Sequence, residues 1–335
     1  MADKFIYLAV LILHSAQLNP NIKYPKISIV TVNLNCATYL EEAILSVLSQ
    51  NYPNLEYIII DGGSTDGSLE IIKKYEDRLT YWVSEKDEGQ YEAIQKGFEK
   101  STGDIMAWIN ADDKYVPGSF VAVARIMDTF PDVNWLMGIA REYTEHGTLI
   151  GRIQLPWSRW SKQRYYTNDF QFIQQESSFW TRSLWLEAGG NLDFEYKYAG
   201  DMELWSRFFR YEKLHTTIAV LSGFRHHSEG QRSKSFKGEY LAECKQVIKR
   251  EKRRMNVFKR IHYFCMKMPR FFLGPFFFFD VPGLKWFYKA LFSIPKVIHY
   301  DFEANKYTRK DRLVKYPPVL IGKKQVHSSS LKKTK

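Results

Sequence analysis

Apolar segments with the period of strands alternate with segments of helical period in the first part of the chain. Lys26–Asn33 (KISIVTVN), Leu55–Ile60 (LEYIII) and Asp104–Asn110 (DIMAWIN) are typical of buried strands, and Leu79–Val83 indicates a shorter one. Between them leucine and isoleucine recur at helical spacing, with Thr38 as a candidate cap of the first helix. This order predicts an α/β, Rossmann-like fold in which a mainly parallel sheet is flanked by helices.

Polar side chains stand where the predicted strands end. Asn33, Asp61, Asp87 and Asp112 all lie at or just after the carboxyl end of a strand. In open parallel sheets ligands bind in the crevice beyond that edge. We therefore expect these four side chains to converge on one crevice.

Two consecutive carboxylates, Asp112 and Asp113, close the last of these strands in the sequence Asn-Ala-Asp-Asp. Carboxylate oxygens suit Mg²⁺ or Mn²⁺, and such an ion can bridge a diphosphate. The same pair also fits turn or helix-cap chemistry, because Asp is common in both. The residues by themselves leave both interpretations open.

The net charge of +11 is unevenly distributed along the chain. Residues from Arg232 onward contain 26 Lys and Arg against 7 Asp and Glu, whereas the preceding residues contain 22 against 30. This basic tail, with a basic helix predicted over Leu241–Arg260, also contains aromatic clusters such as Phe271–Phe279. Such a composition suits an interfacial segment on an anionic membrane, and a helical appendage packed on the main domain is the structural alternative.

Two features bear on the compartment. The apolar run Phe5–Leu13 is shorter than the roughly 20 residues that span a bilayer, so we expect an extra helix or strand packed on the domain, with a signal or anchor as the alternative. Cys36, Cys244 and Cys265 show no CxxC spacing, which disfavours structural zinc and a disulfide framework. We expect a cytoplasmic protein that associates with the inner face of the membrane if the tail binds lipid.

A series of motifs extends from Lys26 to about Tyr240. They are ISIVTVNLN, SVLSQNYPNLEYIIIDGGSTDGS, EKDEGQYEAIQKG, GDIMAWINADD, QQESSFWTRSLW, AGDMELWSRF and FRHHSEGQ. In this order they resemble the family 2 glycosyltransferases with the GT-A fold. The resemblance implies an inverting enzyme that transfers a sugar from a nucleotide-sugar donor.

The resemblance implies a donor site at the strand ends. Asp61 would accept a hydrogen bond from the base of the nucleotide, with Thr31 and Asn33 lining the same pocket, and Asp87 would lie near the sugar nucleotide. A carboxylate suits this role because it accepts hydrogen bonds from an imide N–H. Capping of the Gly-Gly-Ser turn is the alternative role for Asp61.

The resemblance also implies a site for Mn²⁺ or Mg²⁺. Asp112 and Asp113 occupy the family's DXD-type position, with Asn110 in place of its first acidic residue, and would contact the ribose and the cation. His227 matches a histidine that some relatives place near the metal or diphosphate, and the adjacent His226 is the alternative.

The catalytic base implied by the resemblance is Asp201. An acceptor hydroxyl loses its proton as it attacks the anomeric carbon, and a positioned carboxylate can accept that proton. A helix N-cap is the alternative role, and Glu203 is a competing base that should point to another side of the helix. Acceptor-side residues are also implied, although aromatic residues here are equally typical of a core. They are Gln175, Glu176 and Trp180.

We expect a UDP-sugar as the preferred donor, with GDP- and dTDP-sugars as the alternatives. The resemblance further implies a glycan or lipid-linked acceptor and a role in assembling cell-surface polysaccharide or lipopolysaccharide. We expect an N-terminal extension at 1–24, a catalytic domain at 25–240, a basic aromatic-rich helical tail at 241–322 and a disordered C-terminus at 323–335.

Three other classes of protein compete with this interpretation. A non-catalytic nucleotide-sugar-binding module is disfavoured because all four of Asp61, Asp112, Asp113 and Asp201 are present. A nucleic-acid-binding protein would use the basic tail, but the preceding residues are acidic and contain no recognised binding motif. A dinucleotide-dependent dehydrogenase is disfavoured because the turn after the first strand lacks GxGxxG.

Overall fold

The computed structural model describes residues 24–150, 162–166, 173–227, 235–265 and 296–310. The apolar run Phe5–Leu13, the aromatic cluster Phe271–Phe279 and the C-terminus predicted to be disordered lie outside these residues.

Strands throughout the described residues join in one sheet. They are β1 (Ile27–Asn33), β2 (Leu55–Asp61), β3 (Tyr81–Ser84), β4 (Ile105–Asn110), β5 (Lys114–Tyr115), β6 (Trp135–Thr144), β7 (Leu149–Ile150), β8 (Ser178–Thr181), β9 (His215–His226), β10 (Val297–Asp301) and β11 (Lys306–Lys310). Their order is β11-β10-β9-β6-β8-β4-β1-β2-β3, with β5 added to β9 and β7 to β6.

Helices cover the sheet. They are α1 (Ala37–Leu48), α2 (Ser68–Lys74), α3 (Gln90–Lys100), α4 (Ser119–Thr129), α5 (Lys162–Tyr166), α6 (Arg182–Glu187), α7 (Gly200–Tyr211), α8 (Lys237–Arg254) and α9 (Val257–Cys265). Two 3₁₀ turns, Glu76–Arg78 and Gln175–Ser177, complete the described elements.

The predicted parallel sheet is confirmed. Strands β4, β1, β2 and β3 are parallel neighbours, and their register places Asn33 opposite Asp61 and Val32 opposite Asn110. The carboxyl ends of three strands therefore meet at one edge, as the sequence predicts. Beyond β4 the sheet becomes mixed, because β8 runs antiparallel to both β4 and β6.

Alternating residues of β1 enter two separate cores. Val30 and Val32 point to one face, where they join a cluster that includes Trp108 and Trp205. Ile27 and Ile29 point to the opposite face and join a cluster contributed mainly by α1 and α4. Because both faces are buried, the strand carries an almost continuous apolar run instead of an alternating one.

Local differences from the prediction occur at helix ends. Thr38 lies inside α1 and does not cap it; the residue at the cap position is Cys36, which makes no side-chain capping bond. The basic helix predicted over Leu241–Arg260 is instead two helices, α8 and α9, which are separated at Met255 and Asn256.

The structure also differs from the predicted helical tail at 241–322. Residues 297–310 form the β10–β11 hairpin, which extends the sheet through pairing of Ile298 with Thr217 in β9. The Arg309 guanidinium makes two hydrogen bonds of 2.8 Å to the Asp132 carboxylate. Helix α8 packs on α7, so these parts of the tail belong to the same body as the sheet. Within the described part of the chain, no helix has the length and apolarity needed to cross a membrane.

A close approach between α3 and β1 generates a stability prediction. A Cβ at Gly97 would lie 2.4 Å from Val30 Cγ1, so Gly97→Ala should overpack the core and destabilise the protein by about 1–3 kcal/mol. Urea unfolding monitored by circular dichroism measures this loss. Gly238→Ala in α8 is the matched control, because its Cβ would meet nothing within 4 Å and should be neutral or stabilising. Equal effects of both substitutions would contradict the prediction.

Candidate active site

The turn after β2 is organised by Asp61. Its Oδ1 accepts hydrogen bonds from Asn33 Nδ2 (2.6 Å) and Ser64 Oγ (2.6 Å), and its Oδ2 accepts from the backbone N–H groups of Gly63 and Ser64 and from Ser84 Oγ (2.6 Å). Burial alone would raise the pKa of Asp61, but the bonds from Ser64, Ser84 and Asn33 outweigh it and hold the pKa below its usual value. The turn-capping alternative therefore describes the bonds present, and nucleobase recognition stays a prediction.

Thr31 does not line a pocket. It is fully buried within β1, and its hydroxyl shares a 3.0 Å hydrogen bond with the Tyr57 hydroxyl. The predicted contact of Thr31 with the nucleotide is wrong for this structure, because the residue lies two positions before the strand end, inside the sheet. Asn33, at the strand end itself, is the residue of β1 that reaches the turn.

Asp87 lies against the same turn. A Cβ at Gly62 would come within 2.7 Å of Asp87 Oδ2, so the Asp87 carboxylate lies directly over the glycine. Burial raises the pKa of Asp87, and the nearby Asp61 raises it further. Three residues along the chain, Gln90 Nε2 donates a 2.6 Å hydrogen bond to Asn110 Oδ1 and so joins this loop to the end of β4.

Asp112 and His227 form a pair at the rim of the sheet. His227 Nε2 lies 3.0 Å from Asp112 Oδ2, and the imidazole packs beside the Tyr39 ring with centroids 5.2 Å apart. His226 instead lies 3.6 Å from Glu142. Of the two adjacent histidines, His227 is therefore the one beside the predicted metal position.

Asp113 is held apart from that pair. It is 2% exposed, and its Oδ1 accepts a 3.0 Å hydrogen bond from the backbone N–H of Arg225. The Arg225 side chain donates to the Asp112 carbonyl (3.0 Å) and forms an ion pair with Glu42. Burial and the neighbouring Asp112 and Glu176 carboxylates raise the pKa of Asp113 well above its usual value.

The predicted three-residue metal set is not assembled. Among the residues that the structure describes, no group of three His, Cys, Asp or Glu side chains could hold a metal ion. Asp113 is directed inward by Arg225, which leaves Asp112 and His227 as the adjacent donors. Two protein donors still fit Mg²⁺ or Mn²⁺, since such ions commonly complete their coordination with water and substrate phosphates.

Asp201 occupies the first turn of α7, two residues after the cap position at Ala199. The N-cap alternative is therefore wrong. The Asp201 Oδ1 accepts hydrogen bonds from the Met202 N–H (2.8 Å) and the Tyr91 hydroxyl (3.4 Å). Burial raises the pKa of Asp201 to about 6 despite these two bonds.

Glu203 is excluded as a competing base by its partners. Its side chain is 1% exposed and forms ion pairs with Arg207, at 2.8 Å, and with Arg250 of α8. A carboxylate that is buried and paired with two guanidinium groups cannot meet an acceptor hydroxyl. This confirms that Glu203 and Asp201 point to different sides of α7.

Glu176 lies near both Asp112 and Asp201. The residue is nearly buried, and burial raises its pKa to about 7, with Asp112 and Asp201 contributing in the same direction. Both of those carboxylates therefore stand within electrostatic reach of Glu176. The convergence of Asp112 and Asp201 on one site stays a prediction.

The other two acceptor-side predictions have different outcomes. Gln175 Nε2 donates a 2.6 Å hydrogen bond to the carbonyl of Trp108, beside Glu176. Trp180 is fully buried, and its ring packs against those of Trp108 (5.4 Å) and Trp205 (5.5 Å). The predicted acceptor contact of Trp180 is wrong, and the core alternative is correct.

A residue that the sequence analysis missed holds the loop before Asp201. The Glu243 carboxylate, on α8, accepts hydrogen bonds from the backbone N–H groups of Lys197 (3.1 Å), Tyr198 (2.8 Å) and Ala199 (2.8 Å). These N–H groups belong to the loop that leads into α7 and to Ala199 at its cap position, so Glu243 supplies acceptors for buried backbone groups. No local sequence motif predicts this contact, because Glu243 lies 42 or more positions after Asp201 and the residues that precede Asp201.

Comparisons with known proteins support the family resemblance. Residues 28–185 match the family described as Glycosyl transferase family 2. An uncharacterized glycosyltransferase of Rickettsia prowazekii (strain Madrid E) is 27% identical over 211 residues, which cover 62% of this chain and 66% of that protein. The putative teichuronic acid biosynthesis glycosyltransferase TuaG of Bacillus subtilis (strain 168) is 35% identical over 94 residues, which cover 27% of this chain and 37% of TuaG. The match thus spans just under two thirds of the first relative and little more than a third of the second.

A similar fold is found in S. aureus TarS. Its crystal structure in complex with UDP-GlcNAc superimposes with a TM-score of 0.58 at 15% identity, covering 74% of this chain and 72% of that chain. Its complex with UDP gives a TM-score of 0.55 at 14% identity. This likeness shows the fold, a central and mostly parallel sheet flanked by helices.

The hydrogen bonds of Glu243 generate a second prediction. Glu243→Ala would leave three backbone N–H groups without their acceptor, and we expect a loss of stability of about 2 kcal/mol, measured by urea unfolding. Glu239→Ala is the matched control, because Glu239 is an exposed residue of the same helix. The capping role is refuted if the two variants unfold at the same urea concentration.

Proposed function

Residues 28–185 of this chain belong to glycosyl transferase family 2, and on that basis we propose that the protein transfers a sugar from a nucleotide-sugar donor to a hydroxyl group of a glycan or lipid-linked acceptor. The observation that carries this proposal is the common edge at which β1, β2 and β4 end, where Asn33 binds Asp61 and Asp112 lies 3.0 Å from His227. A donor diphosphate needs a cation site, and an acceptor hydroxyl needs a base. We propose that this edge of the sheet offers both. The reaction inverts the anomeric centre, because attack and departure occur in line in a single displacement.

A UDP-sugar is the donor that we propose. The fold resembles that of TarS, which has been crystallised with UDP-GlcNAc and with UDP. The donor would lie along the crevice from Asn33 and Asp87 to Asp112. Recognition of the base by Asp61 would require one of the hydrogen bonds inside its turn to be exchanged for one from the nucleotide.

Asp201 is the proposed base. Its Oδ2 accepts the proton of the acceptor hydroxyl while that oxygen forms a bond to the anomeric carbon and the bond to the diphosphate oxygen breaks. Tyr91 and the Met202 N–H orient the carboxylate through Oδ1. The leaving nucleoside diphosphate carries away the electron pair of the broken bond.

Asp112 and His227 are the proposed metal ligands, for Mn²⁺ or Mg²⁺. A divalent cation supplies positive charge that stabilises the diphosphate as it leaves. The pair lies at the rim of the sheet, beside the loop after β1, where the diphosphate of the donor would enter.

A role in assembling cell-surface polysaccharide is the biological setting that we propose. The similarity to TuaG, whose name refers to teichuronic acid biosynthesis, supports this setting. A lipid-linked acceptor would bring the reaction to a membrane surface, where the basic tail provides complementary charge. The acidic body of the chain argues against nucleic acid as a partner.

The base assignment generates a third prediction. Asp201→Asn should lower kcat roughly 100- to 10,000-fold, measured as UDP release over a panel of UDP-sugars and acceptors, while donor binding persists. In the wild type, kcat/KM should rise as the pH increases through about 6, because the base must be ionised.

The control for Asp201→Asn is Glu195→Gln, which removes an exposed carboxylate of the loop preceding α7. Glu195→Gln should behave as the wild type. Wild-type turnover by Asp201→Asn would reject the base assignment, and donor binding without turnover in the wild type would favour a non-catalytic binding module.

The metal ligands generate a fourth prediction. UDP with Mn²⁺ should raise the thermal unfolding temperature of the wild type more than either alone, since ligands that bind only the native state stabilise it by mass action. Asp112→Asn should abolish the Mn²⁺-dependent part of that shift. Asp128→Asn removes an exposed carboxylate on α4 and should leave the shift unchanged. A full Mn²⁺-dependent shift in Asp112→Asn would eliminate this site.

A further inference from the structure

Helix α9 presents an apolar stripe to solvent. Val257, Phe258, Ile261 and Phe264 are 63%, 82%, 55% and 73% exposed, respectively. At 100° per residue these four positions fall within one sector of the helix, which is the pattern of an amphipathic helix. Tyr263 lies on the opposite side, where it is buried and its ring packs 5.1 Å from that of Tyr166. The stripe therefore faces directly away from the body of the protein.

A basic groove of about 300 Å³ adjoins the stripe. It is lined by Lys245, Ile248, Lys249, Lys252, Arg253 and Arg260. Lys245, Lys249 and Arg253 are exposed and form no ion pair with any carboxylate of the described residues. A cluster of cations without counter-charges is complementary to a surface that carries several negative charges.

Arg260 connects the groove to the stripe. On the helical wheel it flanks Phe264, and its guanidinium donates hydrogen bonds to the carbonyls of Met255 (3.0 Å) and Arg253 (2.7 Å). These bonds fix the angle between α8 and α9, so the apolar stripe and the cations form one continuous surface. A single ligand must satisfy both parts of it.

We propose that this surface binds an anionic phospholipid bilayer, with the α9 stripe inserted among the acyl chains and the groove of α8 on lipid phosphates. Apolar side chains enter the interfacial region of a bilayer while adjacent Lys and Arg bind its negative surface. A nucleic acid would match the cations alone and leave four apolar side chains in water. A second protein of apolar surface would leave the cations without partners.

The surface is rigidly connected to the proposed base. Arg250 of α8 binds Glu203 of α7, Glu251 binds Arg210, and Glu243 holds the loop before Asp201. Docking through α8 and α9 therefore places the acceptor side of the site at a constant distance from the bilayer. Membrane binding itself does not depend on the proposed reaction, so the two proposals fail independently.

Flotation of the full chain with vesicles tests the proposal. We expect binding to vesicles of phosphatidylcholine with phosphatidylglycerol, weak binding to phosphatidylcholine alone, and weaker binding at high salt. Replacing Lys245, Lys249 and Arg253 together by Ala should reduce partitioning on the order of 100-fold, at about fivefold per cation. Phe258→Ser with Phe264→Ser should reduce it about tenfold or more, whereas Phe258→Leu with Phe264→Leu should retain it.

Matched controls remove the same kinds of side chain, lysines and exposed apolar residues, from surfaces away from α8 and α9. Replacing the exposed Lys73, Lys100 and Lys213 by Ala removes equal charge, and Leu186→Ser with Phe194→Ser removes exposed apolar side chains. Both controls should bind as the wild type. Equal effects of the control and groove variants would overturn the proposal.

Three further outcomes would also overturn it. Binding to RNA without binding to vesicles would assign the groove to nucleic acid. A dimer in light scattering that the double serine variant dissociates, without vesicle binding, would assign the stripe to a second copy. A large fall in unfolding temperature for that variant, again without vesicle binding, would show that the stripe is covered within the chain.

Discussion

Carboxylates that share a partly dehydrated edge are the constraint on which this structure depends. Asp113 and Glu176 are nearly buried, and Asp112 and Asp201 lie within electrostatic reach of Glu176. Burial favours the protonated forms and raises the pKa values of Asp113, Glu176 and Asp201, and repulsion from Asp112 adds to the rise for Asp113 and Glu176. Each of these groups contributes its full stability at low pH and loses it as the pH rises through its folded-state pKa.

The fold offsets this repulsion with fixed donors from distant parts of the chain. Arg225 at the end of β9 secures Asp112 and Asp113 through backbone and side-chain bonds. Helix α8 secures the start of α7, where Asp201 lies, through Glu243 and Arg250. The first helix of the basic tail is thus a structural part of the site.

The aromatic core explains why the site tolerates such a load of buried charge. Four tryptophans, one each from β4, β6, β8 and α7, are at most 1% exposed, and their rings stack or meet edge-to-face. They are Trp108, Trp135, Trp180 and Trp205. Large rings bury much apolar surface per residue and hold their neighbours in a defined geometry. The helix that carries Asp201 is anchored in this cluster through Trp205, so the proposed base is positioned by packing as well as by hydrogen bonds.

The sequence alone determined the elements and the edge. Strand and helix periods predicted β1 to β4 and their parallel order, because these patterns are local, and parallel strands must end on a common side. That rule predicted that Asn33, Asp61, Asp87 and Asp112 lie at one edge of the sheet. The motif order singled out Asp201 as a candidate base, and helical geometry predicted that Glu203 points to a different side of the helix from Asp201.

Tertiary structure decided the contacts between distant residues. Burial of Thr31 and Trp180, the inward turn of Asp113 toward Arg225, and the selection of His227 over His226 all depend on which side chains meet across the sheet. The same holds for Glu243 and for the β10–β11 hairpin, whose basic sequence resembles that of a surface tail. Local patterns specify which face of an element is apolar, but hydrogen bonds and ion pairs between elements exist only once the chain has folded.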